Sequence, residues 1–252
     1  LLGYVAHPVR DTHIYCKEPI SSFAQLKGKK LRVWEKFHVQ TFDSLGVAAQ
    51  AAVLIPVLIR VGYRWRPRFD FRGHGGSEGV MGPDGWRDTV AAGRRLLTAS
   101  GAPWLAARGA SMGGCFLLLA AHAHPGLFRS LVLLCPADGA SLLAGLDRYE
   151  RAPDASPPDL GGRAYGGRFD GAALRPFLER LDLVAAARGL PRVLLAHARD
   201  DEDVPIAHSE RLAAVLAPPT EFIRLDAGGH HGPGRSPLVA RATVDWVLRH
   251  GG

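Results

Sequence analysis

The chain has 252 residues, 47% of them hydrophobic, which suffices for one large domain or for one domain with a smaller segment attached. Its formal net charge is +7, but the basic residues do not cluster, so we interpret them as solvated surface and expect no nucleic-acid partner. No apolar run approaches the roughly 18 residues that a membrane span needs, and we recognise no secretory signal. We therefore expect no membrane partner and a cytoplasmic location.

Lysine and arginine divide the chain into two parts. All five lysines lie within the first 36 residues, whereas the remainder carries arginine and no lysine. Such segregation indicates that two sequences of different origin join between about residues 37 and 53. We therefore predict an atypical N-terminal segment over residues 1–50 and a main domain over residues 51–252.

Apolar runs and their breakers predict an alternation of strands and helices. Leu31–Trp34 is predicted to be a short strand, and the Ala-rich run Val47–Arg60 a helix with Pro56 as a kink. Further strands are predicted at 67–71, 103–107, 130–135, 193–197 and 221–225, and helices at 86–99, 115–123, 205–216 and 237–249. This alternation favours an α/β fold, with a mostly parallel sheet covered by helices on both faces.

Residues 137–188 interrupt the alternation. Prolines and paired glycines separate two weakly helical pieces there, Ala140–Tyr149 and Ala172–Ala187. We predict a short, cap-like excursion over the site rather than a second domain.

The motif Gly109-Ala110-Ser111-Met112-Gly113 lies between a predicted strand and a predicted helix. This Gly-x-Ser-x-Gly context is typical of a nucleophile elbow, a sharp turn that exposes a serine hydroxyl. Such a serine needs a base to take its proton and an acid to orient that base.

Candidates for both partners follow the last two predicted strands. The acidic run Asp200-Asp201-Glu202-Asp203 follows the strand at 193–197, and His230-His231 follows the strand at 221–225. Parallel strands present such residues at one edge of the sheet, where open α/β sheets bind their ligands. The adjacent histidines lack the spacing of a zinc site, and the three cysteines form no framework. We therefore expect no metal and no cofactor.

Four motifs in this order resemble the α/β-hydrolases over about residues 50–252: Asp70-Phe71-Arg72-Gly73-His74-Gly75-Gly76-Ser77, the elbow 109–113, His197-x-x-x-Asp201-x-x-Val204-Pro205, and Gly228-Gly229-His230. The resemblance implies that Ser111 is the nucleophile, His230 the base and Asp201 the orienting acid. Asp203 and His231 are the alternatives for the acid and the base.

The same resemblance implies structural roles for Asp70 and His74. It also implies that the backbone N–H of Met112 is one donor of the oxyanion hole. The second donor follows an earlier strand in such proteins, and no matching motif precedes His74. One hypothesis is that Leu31–Trp34 lies beside the elbow strand, with the backbone near residues 35–37 facing Ser111.

The first part of the chain has a different resemblance. Residues 19–35 (PISSFAQLKGKKLRVWE) and 41–46 (TFDSLG) are similar to the solute-binding subunit of TRAP-type dicarboxylate transporters, over about residues 7–50. Arg32 matches a position that implies contact with a substrate carboxylate. Because the likeness covers too little chain for that family's two lobes, a fused or displaced fragment is the simpler interpretation.

The sequence thus predicts a serine hydrolase that cleaves a small ester, thioester or amide through an acyl-enzyme, most simply a carboxylic-ester hydrolase similar to serine esterases. Its partner is then a small ester or amide substrate, whose identity the sequence leaves open. Two alternatives also stay open: a degenerate hydrolase-like protein without a complete oxyanion hole, and a carboxylate-binding transport fragment.

Overall fold

A computed structural model describes residues 31–33, 49–51, 57–59, 70–74, 77–151 and 168–251. The strands are β1 Leu31–Val33, β2 Ala49–Ala51, β3 Val57–Ile59, β4 Ala106–Ala110, β5 Ser130–Leu134, β6 Val193–Ala198 and β7 Thr220–Leu225. The helices are α1 Arg87–Ser100, α2 Met112–Ala123, α3 Gly139–Arg151, α4 Gly171–Glu179, α5 Leu183–Ala187, α6 Ile206–Val215, α7 Gly232–Arg235 and α8 Pro237–Gly251. Among the helices of these residues, none has the length and apolar character needed to cross a bilayer.

Two units share the chain: Leu1–Val53 with Ser156–Gly162, and Leu54–Ala155 with Arg163–Gly252. In the first unit, β1 and β2 form a parallel pair in which Leu31 lies opposite Ala49. The second unit carries the larger sheet. The division into residues 1–50 and 51–252 stays a prediction.

The larger sheet has the order β3-β4-β5-β6-β7. Strands β4 to β7 run parallel, and β3 pairs antiparallel with β4. This is the mostly parallel α/β sheet with flanking helices that the sequence predicted. Parallel strands need crossover helices, which the chain supplies between successive strands from β4 onward.

Alternate side chains of the central strands point to opposite faces of this sheet. On one face, Leu131 and Leu133 of β5 pack in a core that includes the apolar side chains of α2, such as Leu117. On the other face, Val132 and Leu134 pack in a core with residues of α8 such as Trp246. All five residues of β5 are buried, and the four after Ser130 are apolar, so the strand lacks the alternation of a half-exposed one.

A substitution in the interior of β5 tests this packing directly. Leu133 is 0% exposed, so Leu133→Ala removes a buried isobutyl group and leaves a cavity. We expect the free energy of unfolding to fall by about 2–5 kcal/mol. Leu238→Ala is the matched control, because Leu238 is 59% exposed; it should change stability by less than about 0.5 kcal/mol. Urea unfolding of the two variants checks the difference, and equal losses would contradict the described core.

Two predictions about the N-terminal part were wrong. The run 47–60 is not a single helix, since it contains β2 and β3. An Ala-rich apolar run favours a helix by propensity, but Pro56 divides it and the β-branched Val57 and Ile59 suit the strand that pairs with β4.

The second wrong prediction concerns the neighbour of the elbow strand. Leu31–Val33 pairs with β2, whereas the two edges of β4 are taken by β3 and β5. A strand has only two hydrogen-bonding edges, so β1 does not take the position beside β4. The backbone near residues 35–37, and most of the strand predicted at 67–71, lie outside the described residues.

The predicted excursion contains α3, α4 and α5, while residues 152–167 lie outside the description. Each of these helices is preceded by an aspartate that caps its first turn. The carboxylates of Asp138, Asp170 and Asp182 accept hydrogen bonds from backbone N–H groups three residues further on, at 2.9–3.0 Å.

Candidate functional site

Ser111 lies at the turn between β4 and α2, at the end of the sheet where the parallel strands finish. Its backbone has φ 52° and ψ −125°, which is strained for a residue with a side chain. Such strain costs on the order of 1–3 kcal/mol and is held in place by surrounding structure. The turn is also tight enough to require glycine at 109, because a Cβ there would collide with the backbone of Gly113.

Backbone hydrogen bonds fix this turn against β5. The N–H of Ser111 donates to the carbonyl oxygen of Leu134 at 2.9 Å, and the N–H of Ala137 donates to the carbonyl oxygen of Ser111 at 3.1 Å. The carbonyl of Ser111 also accepts from Gly114 and Cys115 at the start of α2. These hydrogen bonds hold the strained Ser111 through its main-chain N–H and carbonyl groups and do not involve its side chain. The residue is 9% exposed.

Met112 is the first residue of α2. The N–H groups of a helix's first turn have no partner within the helix, and the helix dipole makes that end attractive to negative charge. This gives the N–H of Met112 the position expected of an oxyanion donor. Residues 35–37, which the sequence hypothesis places opposite Ser111, lie outside the described part of the chain.

Asp201 follows β6 and has a side chain with no exposed surface. One carboxylate oxygen, Oδ1, accepts from the backbone N–H groups of Asp203 at 3.0 Å and Val204 at 2.9 Å. The other, Oδ2, lies 2.8 Å from Nδ1 of His230 and 3.1 Å from Nε2 of His197. Burial acts to raise the pKa of Asp201, but the contacts with His197, His230 and the Val204 N–H outweigh it and hold the pKa well below its usual range.

His230 lies in the loop after β7, and two neighbouring elements hold this loop. The carboxylate of Asp200 accepts from the N–H groups of Gly228 at 3.0 Å and Gly229 at 2.8 Å. The thiol of Cys135, directly after β5, donates to the carbonyl oxygen of His230 at 3.1 Å. Asp200 therefore holds the backbone of this loop, whereas Asp201 holds the imidazole of His230.

The carboxylate of Asp201 changes the acidity of His230. Burial lowers the pKa of His230, whereas the hydrogen bond with Asp201 and the contact with the Cys135 thiol raise it, and the net effect is a raised pKa. With Nδ1–H donating to Asp201, the neutral ring carries its lone pair on Nε2. Nε2 is the atom that a base uses toward a serine hydroxyl in a triad.

Asp203 and His231, the alternatives for the acid and the base, have different surroundings from Asp201 and His230. The side chain of Asp203 is 52% exposed and lies 3.5 Å from Arg148. The ring of His231 has its centroid 5.5 Å from that of His230, while His230 provides the nitrogen that pairs with Asp201. The structure thus brings Asp201 and His230 together, and it ties Ser111 to β5, whose next residue, Cys135, contacts His230.

The loop 70–74 has a supporting position. Arg72 pairs with Asp84 at 3.1 Å and Asp88 at 2.7 Å. His74 is buried, with Nδ1 3.1 Å from the Arg72 carbonyl oxygen and its ring at the edge of Phe169. These contacts fit the structural role that the resemblance implies for His74.

One group among the described residues has ligand atoms close enough for a metal ion. Sγ of Cys135, a carboxylate oxygen of Asp201 and a ring nitrogen of His230 lie within 4.8 Å of one another. The Asp201–His230 hydrogen bond already joins two of these residues, and the thiol donates to the backbone of the third. We therefore interpret the group as a hydrogen-bonded cluster.

The sequence alone assigned no role to three residues that contact Asp201, His230 or the loop of His230: Asp200, Cys135 and His197. In the sequence, Asp200 is one member of an acidic run, and Cys135 is one of three cysteines that form no framework. For His197 a signal existed, since the spacing His-x-x-x-Asp in the matched motif places it four residues before Asp201.

Comparisons with known proteins agree with this fold. Residues 68–169 match the family described as the alpha/beta hydrolase fold. No curated protein sequence matches the chain.

Solved structures match over most of the chain. Alpha/beta hydrolase domain-containing protein 10 from mouse matches with a TM-score of 0.53 at 20% identity, covering 90% of this chain and 92% of that one. Monoacylglycerol lipase from Paleococcus ferrophilus matches with 0.52 at 17% identity, over 88% and 93%. Est1E from Butyrivibrio proteoclasticus, solved with bound ferulic acid, matches with 0.52 at 20%, over 88% and 87%. At these identities the likeness is one of fold.

Proposed function

The chain belongs to the alpha/beta hydrolase fold family through residues 68–169, and from this premise we propose that it is a serine hydrolase acting on a small carboxylic ester, thioester or amide. The observation that carries the proposal is the hydrogen bond of 2.8 Å between the buried carboxylate of Asp201 and the partly buried ring of His230. Asp201 follows β6 and His230 follows β7, at the same end of the parallel strands as Ser111, which follows β4.

In the proposed mechanism, Nε2 of His230 takes the proton of the Ser111 hydroxyl while the oxygen attacks the substrate carbonyl. The N–H of Met112 stabilises the oxyanion that forms. His230 then gives its proton to the departing alcohol, thiol or amine, which leaves Ser111 acylated. Water attacks the acyl-enzyme with His230 again as the base, releasing the acid and restoring the hydroxyl. Throughout, Asp201 orients the imidazole and stabilises its protonated form.

Hydrolysis of p-nitrophenyl esters of graded acyl length by the full chain tests this function. The proposal expects saturable turnover well above the buffer rate, with a preference for short acyl groups. A feruloyl ester and a monoacylglycerol belong in the same panel, because proteins of similar fold carry those names or ligands. A folded chain that turns over none of these substrates would favour the degenerate, non-catalytic alternative.

Asp200 and Asp201 should respond differently to substitution. Asp200→Ala removes the acceptor of the Gly228 and Gly229 N–H groups, so the loop loses a contact that positions His230. We expect kcat to fall about ten- to a hundredfold with KM little changed, since small displacements of a catalytic group have effects of that size. Steady-state kinetics with a p-nitrophenyl ester measure the split. Glu202→Ala is the control in the same loop, because its exposed side chain has no assigned role. Equal activity of the Asp200→Ala variant and the wild type would contradict the positioning of this loop by Asp200.

A further inference from the structure

The carboxylate of Asp201 is surrounded by four donors, two at each oxygen. The backbone N–H groups saturate Oδ1, so its orientation is fixed by the loop itself. At Oδ2 two histidines meet, His230 at 2.8 Å and His197 at 3.1 Å. The triad described above uses only His230, and it leaves His197 without a function.

His197 lies near the end of β6 and is 0% exposed. Its Nδ1 lies 2.7 Å from the hydroxyl of Ser209 on α6, which is also fully buried. Its Nε2 lies 2.9 Å from the carbonyl oxygen of Val204 as well as 3.1 Å from Oδ2 of Asp201. A carbonyl oxygen can only accept, so Nε2 carries the hydrogen, and the Ser209 hydroxyl donates to Nδ1. The hydrogen on Nε2 is therefore shared between Val204 and Asp201.

We infer that His197 is a positioning residue for the acid of the proposed triad, and that its Nε2–H tunes how strongly Asp201 holds His230. This inference rests on the proposed function. An acceptor oxygen that already receives one hydrogen bond gives less electron density to the next donor. By sharing its hydrogen with Oδ2, His197 weakens the hold of Asp201 on a protonated His230 and keeps the base available at lower pH.

Other titratable groups also face this pair, and they must stay unchanged in a test. Cys135 approaches from the end of β5, Asp200 from the same loop as Asp201, and His231 from the residue after His230. On α6, the buried His208 interacts electrostatically with His197. The test therefore substitutes His197 and its partner on α6 only.

The experiment compares His197→Phe, which removes the donor, with His197→Gln, which keeps an N–H near the position of Nε2. The first readout is the acid limb of kcat/KM for p-nitrophenyl acetate. The second is the NMR titration of the His230 ring, which needs no turnover. We expect His197→Phe to move both midpoints to higher pH by about half a unit or more. His197→Gln should return both to within about 0.2 unit of the wild type.

Ser209→Ala provides a milder variant in case His197→Phe does not fold. Without the hydroxyl, the His197 ring loses the donor that holds its Nδ1, so its Nε2–H is less firmly directed at Oδ2 of Asp201, and both midpoints should move in the same direction by a smaller amount. A folded variant without the donor, but with wild-type midpoints in both readouts, would overturn the inference. If the wild-type chain hydrolyses no ester, the proposed function fails, and the NMR midpoints alone decide whether His197 tunes the Asp201–His230 pair.

Discussion

Ser111→Ala is expected to lower kcat for ester hydrolysis by about a thousandfold or more. The substitution deletes the oxygen that the substrate acylates, and the remaining machinery gives little turnover without it. Steady-state kinetics with a p-nitrophenyl ester measure the loss, and circular dichroism with thermal unfolding shows whether the variant is folded.

A matched control for this variant lies on the neighbouring strand. Ser130 is also a buried serine, but it begins β5 and so lies at the opposite end of that strand from Cys135. Ser130→Ala should retain wild-type kcat and KM. Full activity in Ser111→Ala, or an equal loss in both variants, would contradict the role of Ser111 as nucleophile.

Asp201→Asn is expected to have the second largest effect, a fall in kcat of about ten-thousandfold. An amide in place of the carboxylate presents its own N–H groups to His230, which disfavours the tautomer with a hydrogen on Nδ1. It also removes the negative charge that raises the pKa of His230. The acid limb of kcat/KM should therefore move to lower pH while the rate at its plateau falls.

The direction of this pH shift follows from the protonation of His230. His230 acts as a base only when it is unprotonated, so a raised pKa makes the wild-type kcat/KM increase with pH through the neutral range. Asp203→Asn is the control, because Asp203 is exposed and its side chain contacts Arg148; its pH profile should match the wild type. If Asp203→Asn showed the large loss and Asp201→Asn did not, the assignment of the acid would be wrong.

Much of the fold followed from the sequence because the central strands are short apolar runs separated by clear breakers. Ser130–Leu134, buried along its whole length, shows why such a run predicts an interior parallel strand. The N-terminal part could not be predicted in this way. Around Pro56 the apolar residues suit a helix or a strand equally well, and pairing with the free edge of β4 decides for a strand.

In the candidate site too, only some of the residues carry a signal in the sequence. Ser111, Asp201 and His230 each follow a strand within a motif of the α/β-hydrolase resemblance, and that resemblance selected them, with Asp203 and His231 as the alternatives. Cys135 carries no such signal, because its contact with His230 joins residues that are 95 positions apart. The hydrogen bonds that Asp200 accepts from the Gly228 and Gly229 N–H groups depend on how two loops meet. The hydrogen that His197 shares depends on how the loop after β6 folds back on that strand. Neither arrangement follows from composition or periodicity.

The central claim is that Ser111 becomes acylated, and covalent labelling of the full chain tests it most directly. The folded protein is treated with a fluorophosphonate, digested, and mapped by mass spectrometry. One adduct is expected, on the peptide that carries Ser111, absent in Ser111→Ala and retained in Ser130→Ala. A folded protein that takes no label, or takes it at another residue while Ser111 stays unmodified, would contradict the role of Ser111 as the nucleophile.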